Sequence, residues 1–298
     1  MVSHMGRIKN LVKNLNYLSK HSLWDQREDD IVYLTNKILD DAQYEFDLTD
    51  GNSTKPKILN SNESFDKIMK TSKSFVRTGD GEIKIMMGMD QPFQKYDPEL
   101  AEGLRKLLSE KNDNLLVGIN RNYYIPGYVR DFAPFYRRNG YDYRQYYKKI
   151  LNPEITYIDA TLTGFQFGTH KEKSTINKYE KWKDAFKDKN IVLVCGEGVL
   201  DKLQYDVFEK ATNKKYIYGP SKDAWSQKNS LVAQIKEIAT KDSIIVFILG
   251  MAGKVMIAEL AEEGYTCWDV GHLAKYYDAF MRGIENTDEN VKKFYAPD

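Results

Sequence analysis

Short apolar runs alternate with helical patterns through the C-terminal half, and this alternation limits the fold more than any other feature. Ile191–Val194, Lys215–Tyr218, Ile244–Leu249 and Tyr265–Val270 read as strands. Leu200–Ala211, Ala224–Ile238 and Lys254–Glu263 show helical spacing between them. Parallel strands need long crossovers, normally helical, so this order predicts an α/β, Rossmann-like, mostly parallel sheet with helices on both faces. Such sheets bind ligands beyond the carboxyl ends of their strands, often on helix N-termini.

The preceding stretch fits the same architecture. Ser61–Thr71 reads as a helix and Ser74–Arg77 as a strand. A sharp turn follows at Thr78–Gly81, and a helix starts near Glu82. Asp97–Leu108 reads as a helix with Pro98 just inside its start, and Leu115–Ile119 as a strand. Tyr123–Tyr147 is dense in Tyr, Phe and Arg. It reads as helices whose aromatics fill the core, as a sugar-stacking acceptor platform, or as a single-strand nucleic-acid surface. Upstream, Ile8, Leu11, Val12, Leu15 and Leu18 form one amphipathic helix, and Ile31, Leu34 and Ile38 belong to a second. Thr49–Lys57 is a turn-rich linker. Residues 1–57 are therefore expected to be an N-terminal helical extension and linker, and 58–298 the main domain. The basic first helix suits packing on that domain, a partner, or peripheral membrane contact.

Charge narrows the partners. Lys and Arg number 44 against 43 acidic residues, a net charge of +1, so the strongly basic footprint of a nucleic-acid binder is absent. The chain is 42% hydrophobic and 29% charged, which supports a folded core. No apolar run approaches a membrane span. Two cysteines, Cys195 and Cys267, both within apolar strands, do not make a disulfide framework and fit a reducing, cytoplasmic setting. The sequence is compatible with an oligomer.

Four stretches have the chemistry of a site. In Asp80-Gly81-Glu82 two carboxylates flank a glycine and converge on one side of a tight turn. Mg²⁺ and Mn²⁺ are held by one or two such carboxylates plus substrate phosphates, though Asp-Gly is also a common turn dipeptide. Gly196-Glu197-Gly198 follows a strand; glycine there lets backbone approach a ligand, and the acidic residue suits ribose hydroxyls. Gly250-Met251-Ala252-Gly253-Lys254 resembles a phosphate loop, but Ile248 stands where its first Gly belongs and Val255 replaces the metal-binding Ser/Thr, which excludes a nucleotide triphosphatase. Asp269-Val270-Gly271-His272 closes the last strand; His272 is either a base or a structural residue. His4, His21 and His170 lack metal-ligand spacing.

Together these stretches resemble the GT-D fold glycosyltransferases, the family that extends glycans on serine-rich repeat adhesins of Gram-positive bacteria. The resemblance runs from about Ser61 to Met281 and is carried by Ser74–Glu82, Phe93–Leu100, Val194–Glu197, Tyr205–Phe208, Gly219-Pro220, Ala224-Trp225, Leu249-Gly250 and Asp269–His272. It implies metal-dependent transfer of a sugar from a nucleotide-sugar, a UDP-sugar, to a glycan or glycoprotein hydroxyl. Its Asp-x-Glu motif places Mn²⁺ or Mg²⁺ on Asp80 and Glu82. Arg77 would add charge there or orient the carboxylates. Gly79, Gly196, Glu197, Gly219 and Gly250 are the remaining donor-site candidates. The general base is expected in Asp269–Asp278, with Asp278 first and His272 second. Three departures from the family pattern stand out: Met251-Ala252-Gly253 replaces Pro-Thr-Ala, no Arg follows the Gly-Glu loop, and Ala274 and Tyr276 stand where carboxylates are usual. The competing readings are a nucleotide-sugar hydrolase and a non-catalytic binding partner of other transferases.

Overall fold

The computed structural model describes residue 38 and residues 55–125, 133–164, 173–285 and 287–294. The chain divides into two units, Met1–Thr54 and Lys55–Asp298, and the second carries the sheet. The expected N-terminal helices lie outside the described residues, apart from helical Ile38.

The strands are β1 (Lys57–Ile58), β2 (Ser74–Thr78), β3 (Leu115–Ile119), β4 (Thr156–Asp159), β5 (Asn190–Gly196), β6 (Asn213–Gly219), β7 (Ile244–Ile248) and β8 (Thr266–Asp269). The helices are α1 (Ser61–Thr71), α2 (Asp80–Met86), α3 (Pro98–Ser109), α4 (Ala133–Ile150), α5 (Lys173–Ala185), α6 (Lys228–Ile238), α7 (Gly250–Glu262), α8 (Leu273–Met281) and α9 (Asp288–Phe294). The eight strands form one sheet in the order β1-β4-β3-β2-β8-β7-β5-β6, and its strand pairs are parallel.

A parallel sheet buried on both faces needs apolar residues on both sides of its strands. Alternation along the strands supplies them. Val76, Val194 and Phe247 join α2, α3, α4, α6 and α7 in one core layer. Phe75, Leu193, Val246 and Trp268 join α1, α5 and α8 in the other. Two family-matching stretches meet in this packing: buried Gln94 donates to Asp223 Oδ1 at 2.6 Å and accepts from Trp225 N at 3.2 Å.

Strand order sets where a ligand binds. From β5 the chain moves outward to β6, then returns to β7 on the other side of β5 and on to β8. That reversal opens a crevice between the carboxyl ends of β5 and β7, the place where doubly wound sheets take ligands.

Two expectations need correction. Leu200–Ala211 is a series of turns, not a helix. The polar interior of this stretch is held from outside: Asp278 Oδ1 accepts from Gln204 N at 2.8 Å and Tyr205 N at 3.1 Å, and Asp206 caps Phe208 N at 2.7 Å. Lys57, expected as the end of the linker, instead begins strand β1 and pairs with Thr156 of β4. Among described residues, no helix is long and apolar enough to cross a membrane.

Candidate active site at the carboxyl edge of the sheet

β2 delivers the Asp-Gly-Glu turn to the carboxyl edge. Gly79 is extended (φ −123°, ψ −159°), which swings the chain from strand to helix, and α2 begins at Asp80. Glu82, in the first turn, bends back and accepts from Gly79 N at 2.7 Å, satisfying an amide that the helix start would otherwise leave unpaired. Its side chain is 9% exposed. Asp80 differs: its side chain is 45% exposed, and Lys84, one turn on, lies at 3.2 Å. Behind the turn stand Tyr143 and Tyr147 of α4, both buried. Burial, then Asp80 and Asp142, pushes the Tyr143 phenol up to about 12. The aromatic segment thus contributes core beneath the turn.

β8 runs beside β2, and Arg77 fastens the two. Its backbone N donates to Asp269 Oδ2 at 3.0 Å, its Nη2 to Oδ1 at 3.1 Å and its Nε to the Asp269 carbonyl at 2.9 Å. A fourth bond, from Nη1, reaches the Ala160 carbonyl at 3.3 Å. Arg77 therefore acts as a brace between strands. Gly271 makes room for it: its φ is +51°, and a Cβ there would stand 1.9 Å from Arg77 Nη2.

From α7 comes Lys254, which the sequence did not single out as a site residue. Its ammonium donates to Gly250 O at 3.1 Å and lies 3.0 Å from Glu82 Oε1 and 3.4 Å from Asp269 Oδ2. Burial disfavours its charge, but Asp269 and Glu82 outweigh burial and hold its pKa above the usual lysine range. Burial likewise opposes the Asp269 carboxylate, yet Arg77 and Lys254 hold it below the usual range. Arg77, Glu82, Lys254 and Asp269 thus form one charge network that ties together the ends of β2, β7 and β8. A signal existed in the sequence: Lys254 is the lone charge in the run Met251–Ala258.

His272 occupies the N-cap position of α8, with no capping bond from its side chain. Its ring packs edge-on to Tyr276, with centroids 6.5 Å apart, and lies 5.7 Å from Phe294. Desolvation of the ring, then the cations Lys275, Arg77 and Lys254, push its pKa below the usual imidazole value; Asp269 opposes them. The residue is solvent-exposed. Asp278, farther along α8, is buried. Its Oδ1 takes the two amides named above, and Oδ2 pairs with Arg282 at 3.2 Å. The contacts of Asp278 are those of a brace for the turns after β5.

At the crevice, Gly196 and Gly219 end paired strands β5 and β6. A Cβ on Gly196 would come within 3.1 Å of Ser221 Cα, and one on Gly219 within 3.2 Å of Leu231 and Leu249. Both glycines therefore serve close packing. Glu197 donates its backbone N to Gly219 O at 3.1 Å, and the residue is exposed. Gly250, with φ +65° and open space where a Cβ would stand, starts α7. The sheet thus brings Arg77, Gly79, Asp80, Glu82, Gly196, Glu197, Gly250 and His272 to the carboxyl ends of four adjacent strands, β2, β8, β7 and β5, with Gly219 on β6 beside them.

Asp80 fits a divalent cation, with an accessible carboxylate where one carboxylate plus phosphate oxygens suffices. Glu82 does not offer itself in the same way, because an ammonium already holds it. Among described residues, no group of three or more His, Cys, Asp or Glu is placed to hold a metal ion.

Comparison with known proteins agrees with this architecture. The chain is 27% identical over 232 residues to "Probable glycosyl transferase Gly" of Streptococcus gordonii, covering 77% of this chain and 34% of that protein. It is 27% identical over 226 residues to "Glycosyltransferase GlyD" of Streptococcus pneumoniae serotype 4, covering 75% of this chain and 27% of that protein. The match therefore spans about a third or less of these relatives' length. A solved structure described as a new glycosyltransferase from Streptococcus sanguinis superposes with TM-score 0.71 at 26% identity, covering 82% of this chain and 93% of that one. Another, described as a conserved domain with a distinct glycosyltransferase fold, gives 0.70 at 26% identity over 77% and 83%. Since the model of the glycosyltransferase GT-D fold matches residues 75–297, the chain belongs to the GT-D fold glycosyltransferase family.

Proposed function

We propose that this chain transfers a sugar from a nucleotide-sugar, a UDP-sugar, to a hydroxyl of a glycan or glycoprotein. One observation carries the reading: candidate residues from separate parts of the sequence converge at the carboxyl ends of four adjacent strands, where α/β sheets bind nucleotides.

In this reading the nucleoside lies at the β5/β7 crevice, with the exposed Glu197 toward ribose hydroxyls. The diphosphate rests at the N-terminus of α7, beside Gly250, where free backbone amides and the helix dipole favour an anion. Asp80 would hold Mn²⁺ or Mg²⁺ together with the phosphates. Such an ion would supply charge neutralisation for the departing diphosphate. Arg77 and Lys254 keep the strand ends in register. His272 is the base: it is exposed, and its neighbouring cations keep it neutral near pH 7, ready to take the acceptor proton. The contacts of Asp278 suit a structural role better, which reverses the order expected from sequence.

Calorimetry with UDP and Mn²⁺, followed by a transfer assay with and without acceptor, tests the proposal. Expected are chelator-sensitive UDP binding and turnover that requires an acceptor. Acceptor-independent sugar release would make the protein a hydrolase, and absent UDP binding would remove the donor assignment.

A further inference from the structure

We propose that Lys254 is the resident cation of the carboxylate pocket made by Glu82 and Asp269, so that Glu82 holds the turn and does not ligate a metal ion. An ammonium has three donors, and Lys254 has three oxygen neighbours: Glu82 Oε1 at 3.0 Å, Gly250 O at 3.1 Å and Asp269 Oδ2 at 3.4 Å. The other Glu82 oxygen accepts from Gly79 N at 2.7 Å. A dication approaching Glu82 would meet a fixed positive charge within hydrogen-bond reach of the same carboxylate.

The pocket is sealed as well as filled. Lys254, Glu82 and Asp269 are each more than nine-tenths buried, whereas Asp80 faces solvent. The two carboxylates of the Asp-Gly-Glu turn therefore have different jobs. Glu82 faces inward to a lysine, and Asp80 is left to meet a cation that arrives with phosphate. The resemblance of Gly250–Lys254 to a phosphate loop resolves the same way, because the lysine turns in toward carboxylates rather than out toward a ligand. The consequence for metal binding rests on the donor-site reading above; the pairing itself rests on the distances.

Mn²⁺ alone, titrated by calorimetry or by its electron paramagnetic resonance signal, tests this on the full chain. Lys254→Met should bind Mn²⁺ at least tenfold more tightly than the unaltered protein, because it removes the cation from Glu82 Oε1 and Asp269 Oδ2 and leaves the buried pocket with excess negative charge. Adding Glu82→Gln to that variant should abolish the gain. Glu82→Gln alone should leave Mn²⁺ affinity within about twofold of the starting value. A folded Lys254→Met without the gain overturns the proposal. So does a tenfold or greater loss in Glu82→Gln, and that variant decides alone if Lys254→Met does not fold. UDP titration of the unaltered protein is read separately: its failure removes the donor reading and leaves the Mn²⁺ comparison intact.

Discussion

Lys254 Nζ lies 3.0 Å from Glu82 Oε1, with both side chains more than nine-tenths buried. Charges withdrawn this far from water depend on one another. Removing one partner of a buried pair typically costs about 3–5 kcal/mol, because the other is left uncompensated. Lys254→Ala is expected to destabilise the fold by an amount in that range, measured by urea unfolding. Lys84→Ala, which removes the partly exposed partner of Asp80, should cost less than about 1 kcal/mol. Equal losses would mean that burial does not separate the two pairs.

Asp269 links the network to pH. Its folded carboxyl titrates below the unfolded value of about 3.9, so the unfolded chain takes up the proton first as pH falls. The stability it contributes is present above about pH 3.9 and is lost as pH falls through the folded value. Lys254, held above the unfolded lysine value of about 10.4, contributes stability that is present below that pH and lost as pH rises through its folded value. Urea midpoints across pH should therefore fall at both extremes. Asp269→Asn should flatten the acid limb; an unchanged acid limb would assign it to other carboxylates.

Gly271→Ala tests the Arg77 brace. The new Cβ would need a left-handed backbone, costing roughly 1–2 kcal/mol, and would displace the guanidinium that it meets at 1.9 Å. The expected loss is about 2 kcal/mol or more by thermal or urea unfolding. Gly264→Ala, also left-handed but facing open space, should show the backbone cost alone. Similar losses in the two variants would mean that Arg77 yields without cost.

Much of this was legible in the sequence. Ser61–Thr71 and Leu115–Ile119 have the boundaries read from periodicity, and β5, β7 and β8 lie within a residue or two of theirs. These segments form because their own alternation or amphipathic face dictates it. The turns of Leu200–Ala211 were not legible, because their geometry is imposed by Asp278, more than 70 residues away. The site was half legible. Turn chemistry and strand ends pointed to Asp80, Glu82, Gly250 and His272. That Lys254 would claim Glu82 depends on α7 packing beside α2 and β8, which no local pattern reveals.

Asp278 provides a contrast within α8. Its Oδ1 accepts two backbone amides, and Asn keeps one oxygen able to do so. Asp278→Asn should therefore fold, bind UDP and retain transfer within a few-fold. Asp278→Ala should leave both amides without this acceptor and cost about 1–3 kcal/mol, the scale of lost hydrogen bonds to a charged group in a partly buried setting. A hundredfold loss of transfer in a stable Asp278→Asn would instead restore this carboxylate as the base.

His272 gives the most informative pH profile. The charged groups that act on its ring include Lys275 on its own helix, Arg77 from β2, Lys254 from α7 and Asp269 from β8. Desolvation, then these cations, move the imidazole below its ordinary value of about 6.5, and Asp269 opposes them. A base works only when deprotonated. Activity should therefore persist below pH 6.5 and decline as pH falls through the depressed value. Lys275→Ala removes one of the opposing charges, so the acid limb of kcat/KM should move upward, toward 6.5. His272→Ala should lose roughly a hundredfold or more in transfer, the usual scale for a missing general base, and should keep UDP affinity. The two variants separate chemistry from folding: a structural histidine would change stability but not the position of the acid limb. An acid limb that stays in place in Lys275→Ala, with near-normal transfer in His272→Ala, would exclude His272 as the base.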